Sequence, residues 1–412
     1  MRLPPPQAWP EKQLTHAQQA EFTYMRDSFL VFGQPLIEQD EIDEVVDSLK
    51  KAWIGTGPKV HQFEKDFAAY KGVSCAAAVN SATAALHLSC LTLELEPGDE
   101  VITTAMTFCA SVNSIIHAGG TPVLADVDPL TLNIDPAAIE AKISPRTRAI
   151  MVVHYAGRCC DMDPIMALAA KHNLVVIEDC AHAIETTYKG RQAGTIGHIG
   201  CFSFYATKNI VTGEGGMLIS NDKAAIDRCK IMALHGMSAD AWARFSDSGY
   251  KHYQVVDHGF KYNMMDLQAA LGLHQLPRVD TYWKRREAVW NRYMEAFADL
   301  GLGLPAAPEA DTVHAYHLFT IRVNKDCCGV ERDQMLEAMR KHNIGVGVHY
   351  LAIPEHPYYQ KRFGWKPEDT PHATSYGRET VSLPLSAKLS DKDVDDVIEA
   401  VRSICNACSG VS

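Results

Sequence analysis

The sequence predicts an α/β protein with a mainly parallel, seven-stranded sheet in a large domain, followed by a smaller α+β domain. Two observations support this prediction. Between residues 75 and 220, short apolar runs alternate with stretches of helical periodicity, and this order places helices on both faces of a parallel sheet. After about residue 275 the pattern changes to one long charged helix followed by isolated strands and helices, which is typical of an α+β domain.

Length and composition agree with two domains. A chain of 412 residues, of which 47% are hydrophobic, exceeds what one compact core usually holds. We divide the chain into an N-terminal leader with three consecutive prolines (1–28), a large domain (29–275) and a small C-terminal domain (276–412).

The predicted elements follow from hydrophobic periodicity. The seven predicted sheet strands are Cys75–Val79, Glu100–Thr104, Pro122–Ala125, Arg148–Val153, Leu174–Ile177, Gly200–Phe204 and Gly216–Ser220. The predicted helices between them are Ala82–Leu93, Ala110–His117, Pro136–Lys142 and Pro164–His172. In the C-terminal part we predict a long helix over Thr281–Leu300 and strands over His317–Val323 and Val346–Tyr350. The close spacing of the later sheet strands allows an antiparallel strand among them.

Charge and cysteine content argue against several classes of protein. Lys and Arg total 39 and Asp and Glu total 50, so the net charge of −11 disfavours a nucleic acid or an anionic membrane as partner. No apolar stretch has the length of a signal-peptide core or a membrane span. The 12 cysteines show no disulfide framework, so we expect reduced thiols, a cytoplasmic location and no metal site. The run from Lys284 to Arg286 is interpreted as a solvated helix face.

A turn of small polar residues follows the first predicted strand. Asn80, Ser81, Ala82 and Thr83 precede a predicted helix, and small residues at a helix start leave backbone N–H groups free. Together with the helix dipole, those groups favour binding of a phosphate. The alternative is an ordinary Ser or Thr helix cap without a ligand.

Acidic residues end the fifth predicted strand. Asp179 follows the buried run Leu174–Ile177, and a carboxylate in that position needs a cation or several hydrogen-bond donors. The protonated ring nitrogen of pyridoxal 5′-phosphate (PLP) would be such a cation. A capping or metal-binding Asp is the open alternative.

A lysine follows the sixth predicted strand on a turn. Lys208 comes four residues after Phe204, and a partly desolvated lysine has a lowered pKa and forms an imine with an aldehyde. Ser203, near the end of the same strand, is a candidate phosphate donor. Lys208 alone would be read as a surface lysine, but the order of phosphate turn, acid and lysine favours one chemistry, that of a PLP enzyme.

With these motifs the sequence resembles the DegT–StrS family of PLP-dependent sugar aminotransferases of fold type I. The resemblance extends from Phe32 to the last helix. The motifs that carry it are Trp53-Ile54-Gly55-Thr56-Gly57-Pro58, Asn80-Ser81-Ala82-Thr83-Ala84-Ala85-Leu86, Asp135-Pro136, Ile177-Glu178-Asp179-Cys180-Ala181-His182-Ala183, Cys201-Phe202-Ser203-Phe204-Tyr205-Ala206-Thr207-Lys208-Asn209, Phe260-Lys261-Tyr262-Asn263-Met264-Met265-Asp266 and Gly347-Val348-His349-Tyr350.

The resemblance implies roles in binding PLP. Lys208 would hold the cofactor as a Schiff base and move protons, Asp179 would pair with the ring nitrogen, and His182 would lie near the ring hydroxyl. Many relatives have Gln in place of His182, whereas a subset that uses 4-keto pentose nucleotides has His. The resemblance further implies that Phe108 stacks on the ring and that Ser81, Ala82 and Ser203 contact the phosphate.

The resemblance also implies a partner subunit and a substrate side. Asn263 would reach the phosphate from the neighbouring subunit of a homodimer, and His349 and Tyr350 would lie near the substrate. Without the resemblance, Phe108 could be a core aromatic and His349 a strand histidine with its hydrogen bonds satisfied.

The implied function is transfer of an amino group from glutamate to a nucleoside-diphosphate 4-ketosugar. A ketocyclitol acceptor is the alternative among aminotransferases, and a PLP-binding regulatory protein without turnover is the alternative from another class. Dehydratases of the same family carry His at the lysine position, so Lys208 favours transamination.

Overall fold

The computed structural model of the protein describes residues 25–238 and 253–409. Its strands, in chain order, are β1 (Cys75–Val79), β2 (Glu100–Thr104), β3 (Thr121–Ala125), β4 (Thr147–Val153), β5 (Val175–Asp179), β6 (Thr187–Tyr188), β7 (Arg191–Gln192), β8 (Ile199–Ser203), β9 (Gly216–Ser220), β10 (Thr312–Val313), β11 (Phe319–Arg322) and β12 (Thr380–Leu383).

The α-helices surround these strands. In chain order they are α1 (Gln39–Lys50), α2 (Pro58–Lys71), α3 (Ala82–Leu91), α4 (Cys109–His117), α5 (Pro136–Glu140), α6 (Met162–His172), α7 (Lys223–Ala233), α8 (Asp266–Gln275), α9 (Val279–Phe297), α10 (Lys325–Cys328), α11 (Arg332–Lys341), α12 (Pro357–Phe363), α13 (Pro371–Glu379) and α14 (Asp391–Ser409). Within the described ranges, none of these helices is both long and apolar enough to cross a membrane.

The central sheet confirms the predicted fold class. Its seven strands lie in the order β1-β9-β8-β5-β4-β2-β3. The pairs β8–β5, β5–β4, β4–β2 and β2–β3 are parallel, whereas β9 pairs antiparallel with both β8 and β1. Every predicted sheet strand is present, with bounds shifted by no more than two residues.

Helices bury both faces of this sheet. On one face Phe63 and Phe67 of α2 pack against Phe202 of β8 and the following Phe204, with ring centroids 5.0–5.4 Å apart. On the other face Cys201 of β8 belongs to the core that α3 and α7 cover. Burial on both sides explains why the strands read as nearly continuous apolar runs, and it leaves the strand ends as the rigid edge on which loops can form a site.

The C-terminal part has its own apolar core. Trp290, Tyr293 and Phe297 of α9 pack around Phe319 of β11, with ring centroids 4.8–6.2 Å apart. Leu30 packs into the same core. A segment near the N-terminal end of the described residues is therefore part of the C-terminal core. The division into domains at residues 28 and 275 stays a prediction, and most of the proposed leader lies outside the described residues.

Two predictions about the C-terminal part were wrong. Val346–Tyr350 is not a strand: only Gly347 pairs with Ser382, and Val348, His349 and Tyr350 all face one cavity. Strand side chains alternate between faces, so three consecutive residues lining one cavity require irregular backbone. Arg286 does not lie on a solvated face, because its guanidinium is buried and paired at 2.5 Å with the buried carboxylate of Glu185.

Candidate active site

A cavity of about 560 Å³ lies at the carboxyl ends of the parallel strands, where ligands bind in open α/β sheets. It collects nearly all the site residues that the sequence predicted: Ser81, Ala82, Phe108, Asp179, His182, Ser203, Lys208, His349 and Tyr350. Asn263 does not line this cavity. Its side-chain amide donates instead to the hydroxyl of Thr56 at 2.6 Å.

Asp179 is the last residue of β5 and is only 4% exposed. Its Oδ1 accepts a hydrogen bond from the backbone N–H of Ala181 at 3.1 Å, and its Oδ2 accepts one from the hydroxyl of Ser111 at 2.8 Å. Burial raises the pKa of this carboxyl group, while these two donors and the charge of Lys208 act in the opposite direction. The capping interaction with Ala181 is thus present, and the carboxylate still reaches the cavity.

The preceding residue, Glu178, faces away from the cavity. Its carboxylate accepts hydrogen bonds from the backbone N–H groups of Gly194, Ile196 and Gly197 and from Nε2 of His154 at 2.9 Å. Because Nδ1 of His154 accepts from a backbone N–H as well, both ring nitrogens are engaged. Glu178 and His154 therefore hold the loop after β7 to the sheet and are not free to bind a metal.

Lys208 lies on the turn after β8. Its backbone N–H donates to the carbonyl of Tyr205 at 2.8 Å, and the next side chain, Asn209, donates to Glu185 at 2.8 Å and to the carbonyl of Ala315 at 3.0 Å. The turn is therefore tied to the chain just before β11. Burial lowers the pKa of the Lys208 amine to about 8, and the nearby carboxylate of Asp179 partly opposes this shift. Lys208 thus has the environment of a reactive amine rather than that of a surface lysine.

We expect the reactivity of Lys208 toward an aldehyde to depend on pH in a defined way. Only the neutral amine attacks, so the rate at which the apo-protein binds PLP covalently should rise with pH and level off above pH 8. An ordinary lysine would keep gaining rate up to about pH 10.4. Absorbance during mixing with PLP measures this rate, and a rate still climbing steeply at pH 9.5 would contradict the lowered pKa.

The predicted phosphate turn has the form of a capped helix start. The hydroxyl of Ser81 accepts from the backbone N–H of Ala84 at 3.1 Å, and the first residues of α3, Ala82 and Thr83, line the cavity. Gly216 of β9 packs directly on this turn, since a Cβ there would come within 2.7 Å of the backbone of Ser81 and Ala82. The cap and the anion site are therefore compatible: Ser81 satisfies one N–H and leaves those at the helix start available.

His182 and Tyr350 form a hydrogen-bonded pair at the cavity. Nδ1 of His182 accepts from the backbone N–H of Ala156 at 3.3 Å, and Nε2 lies 3.0 Å from the hydroxyl of Tyr350. Burial and the charge of Lys208 keep the pKa of His182 well below its usual range, so the ring is neutral. A neutral ring that accepts at Nδ1 carries its proton on Nε2 and donates it to Tyr350. The hydroxyl of Tyr350 is then free to donate into the cavity.

Two further predicted residues line the cavity from its sides. Phe108, the residue before α4, is 58% exposed and lies 6.1 Å from the ring of Tyr350, so it is not a core aromatic. His349 hydrogen-bonds through Nδ1 to the hydroxyl of Ser382 at 2.8 Å and stacks on Phe32 at 5.5 Å. Burial lowers the pKa of His349 to about 4, so at neutral pH it contributes an uncharged ring.

Several residues at this site were not predicted from the sequence. Ser111 and Thr107 extend from Asp179 in a line of hydroxyl groups, and Thr107 also lines the cavity. His317 lies behind His182, with ring centroids 4.4 Å apart. Ser111 could have been found by its position one helical turn after Phe108, which places it on the same side of α4.

Comparison of the sequence with known proteins identifies a family. The sequence model of the DegT/DnrJ/EryC1/StrS aminotransferase family matches residues 35–402. The chain belongs to this family. The spore coat polysaccharide biosynthesis protein SpsC of Bacillus subtilis is 51% identical over 381 residues, which make up 92% of this chain and 98% of SpsC.

Solved structures of similar proteins share the fold as well. A putative sugar aminotransferase from Streptococcus pneumoniae, in its PLP form, has a TM-score of 0.84 and 33% identity, over 92% of this chain and 99% of that one. Helicobacter pylori PseC, an aminotransferase involved in the biosynthesis of pseudoaminic acid, has a TM-score of 0.83 and 27% identity, with the same coverage. As a DegT/DnrJ/EryC1/StrS member, the chain is a PLP-dependent aminotransferase that acts on small molecules.

The residues of the cavity fit PLP chemically. Lys208 offers a lowered-pKa amine for the aldehyde, and Asp179 a buried carboxylate for the ring nitrogen. The start of α3 offers N–H groups for the phosphate, and Gly216 provides the close packing that shapes this turn. Ser203 accepts from the N–H of Tyr205 at 3.4 Å, which leaves its hydroxyl proton to donate to the same phosphate.

Proposed function

We propose that this aminotransferase moves an amino group from glutamate to a ketosugar, with a nucleoside-diphosphate 4-ketosugar as the acceptor, in the biosynthesis of an aminosugar for a polysaccharide. The main support for this proposal is that Lys208 and Asp179 line the same cavity as side chains with hydroxyl and imidazole groups. The high identity to SpsC, a protein of polysaccharide biosynthesis by its name, supports it.

The side chains that line the cavity have different roles in the reaction. When bound, PLP supplies an electron sink for the carbanion that forms as the substrate carbon loses its proton. Nζ of Lys208 takes that proton and returns one to the carbon that receives the amino group, because an amine with a pKa of about 8 changes its charge readily near neutral pH. Asp179 would pair with the ring nitrogen and favour its protonated form. The start of α3 and Ser203 would bind the phosphate, and Phe108 would pack against the ring.

The polar lining supports a sugar as the acceptor. Beyond the residues assigned to PLP, the cavity is lined by the polar side chains of Thr207, Glu214, His349 and Tyr350. Such a surface suits a ligand that carries several hydroxyl groups.

A ketocyclitol is the second candidate, and one observation favours it. Among the described residues that line the cavity, Lys208 is the only cation, while Asp179 and Glu214 are acidic. A nucleoside diphosphate carries negative charge that a binding site usually meets with Arg or Lys. A neutral cyclitol would need no such partner from this chain.

An acceptor panel tests the proposal. Purified protein with bound PLP should change its absorbance when glutamate is added, and the product 2-oxoglutarate should appear in equal amount. Nucleotide ketosugars, free ketosugars and ketocyclitols are then offered separately, with amine formation read by mass spectrometry. Amination of nucleotide ketosugars alone is the expected result. Exclusive amination of a ketocyclitol would overturn the acceptor assignment, and absence of a glutamate response would overturn the donor.

We propose further that the active unit is a homodimer in which Asn263 serves the site of the partner subunit. Apolar side chains are exposed on α1, in the loop after it and just before α8, and burial in a subunit contact would remove them from water. They are Ile42, Val46, Leu49, Trp53, Ile54 and Met265. Sedimentation of the wild type should give a dimer, and Leu49→Glu, which places a charge among these apolar side chains, should give a monomer with little activity. A fully active monomer would contradict the proposal.

A cytoplasmic location is the remaining part of the proposal. The cysteines with described side chains are free thiols, and most of them are buried among apolar groups. Free thiols are stable in a reducing compartment. Fractionation of the native host with an antibody to the chain is the direct test.

A further inference from the structure

A line of three polar side chains runs from α4 to the carboxylate of Asp179. The hydroxyl of Ser111, fully buried in α4, lies 2.8 Å from Oδ2 of Asp179. The hydroxyl of Thr107 lies 2.8 Å from the hydroxyl of Ser111, and Thr107 is buried as well. Thr107 lies just before α4, which begins at Cys109, and Ser111 lies within its first turn.

The hydrogen bonds in this line have a fixed direction. An ionised carboxylate can only accept, so Ser111 must donate its single proton to Asp179. With that proton used, Ser111 can only accept from Thr107, which therefore donates. Two successive donors polarise one another, and a bond to a charged acceptor is about twice as strong as a neutral one.

We propose that Ser111 is a positioning residue for the reaction: it keeps Asp179 ionised and aimed at the cofactor, and Thr107 sets the direction of the Ser111 hydroxyl. The inference rests on the PLP chemistry of the proposed function and not on the identity of the acceptor. Ser111 itself does not line the cavity and acts only through Asp179.

The other groups around Asp179 do not replace this donor. In the described part of the chain, the hydrogen bonds to its side chain come from Ser111 and from the backbone N–H of Ala181. Among the titratable groups that face it, Lys208 and His154 act on Asp179 through charge without a hydrogen bond. The charge of Asp179 in turn raises the pKa of Cys180, Cys201 and Tyr350. Burial already raises the pKa of Asp179, and the Ser111 hydroxyl opposes this shift. Loss of that hydroxyl would therefore raise the pKa further, and Asp179 would become protonated at a higher pH than in the wild type. A neutral Asp179 cannot hold the ring nitrogen of PLP charged.

A pair of serines on one helix gives a matched test. Ser111→Ala removes the donor to Asp179. Ser114→Ala makes the same change one helical turn on, at a buried hydroxyl that donates to the carbonyl of Ala110 at 2.6 Å. For the full-length protein, the dissociation constant of PLP is measured by absorbance from pH 6 to pH 9, together with kcat and KM for glutamate.

Ser111→Ala should weaken PLP binding about tenfold at pH 7, the size expected for loss of a hydrogen bond to a charge. The loss should grow as pH falls and shrink toward pH 9, and kcat should fall more than KM rises. Ser114→Ala should stay within about twofold of the wild type at every pH, because it leaves the bonds to Asp179 intact. Ser111→Thr, which restores a hydroxyl, should recover most of the binding.

The proposal is overturned if Ser111→Ala matches Ser114→Ala across the whole pH range, or if its defect does not vary with pH. Should Ser111→Ala not fold, Thr107→Val removes the upstream donor with little change in shape, and it should give a smaller loss with the same pH dependence. A wild type that binds no PLP would instead count against the proposed function itself.

Discussion

Replacing Lys208 with alanine is expected to reduce transamination by a factor of about 10⁴, the upper end of the range for loss of one proton-transferring group. The variant also loses the amine that attaches the cofactor. The protein should still fold, because the Lys208 side chain makes no hydrogen bond to the described residues and the turn is held by the bonds of Asn209. Formation of 2-oxoglutarate measures the activity, and thermal unfolding measures the fold.

A second buried lysine provides the control for this prediction. Burial lowers the pKa of Lys71 to about 8 as well, but its Nζ donates to the carbonyl of Ile184 at 2.7 Å and it does not line the cavity. Borohydride reduction of the PLP-bound protein should therefore label the peptide that contains Lys208 and leave Lys71 unmodified. Label on Lys71, or undiminished turnover by Lys208→Ala, would contradict the assignment of Lys208 as the lysine that binds PLP.

Replacing Asp179 with asparagine is expected to give the second-largest loss. Removing one group that stabilises charge in the transition state lowers kcat by about 10²- to 10³-fold, and we expect a loss of this size for Asp179→Asn. The amide cannot hold the ring nitrogen in its charged form, so the electron sink weakens even where PLP remains bound. Single-turnover absorbance with glutamate would measure the slowed proton removal directly.

The adjacent carboxylate tests whether this effect is specific. Glu178→Gln removes a charge of the same kind from the next position in β5, but that charge is used by three backbone N–H groups and His154. We expect Glu178→Gln to lower the unfolding temperature while the remaining folded protein keeps most of its turnover. The opposite result, a stable Glu178→Gln without activity, would mean that the two carboxylates had been assigned the wrong roles.

The parts of the fold that a local sequence pattern determines could be predicted. The strands of the central sheet are buried on both faces, so each appears as a short apolar run. The end of β5 and the turn that follows β8 therefore lie at the edge where ligands bind. Asp179 and Lys208 could be found in this way. The family resemblance added His182, Phe108, His349 and Tyr350, whose place in the cavity no periodicity indicates.

The residues that sequence reasoning missed depend on contacts between distant segments. Ser111 matters because β5, 68 positions further along the chain, brings Asp179 next to it. Arg286 seemed to belong to a solvated charge run because its counter-ion Glu185 is 101 positions away in the sequence. The segment Val346–Tyr350 has residues typical of a strand, yet Val348, His349 and Tyr350 all line the cavity. Tertiary contacts therefore determine its backbone rather than its strand propensity.

The opposite orientations of Glu178 and Asp179 make β5 sensitive to its length. Loss of one residue upstream in the strand would move each acid to the other face. Glu178 would then face the cavity, and Asp179 would face the backbone amides of the loop after β7. In laboratory evolution of this chain, we therefore expect insertions and deletions to be recovered at exposed turns such as Lys189-Gly190 and to be absent from β5.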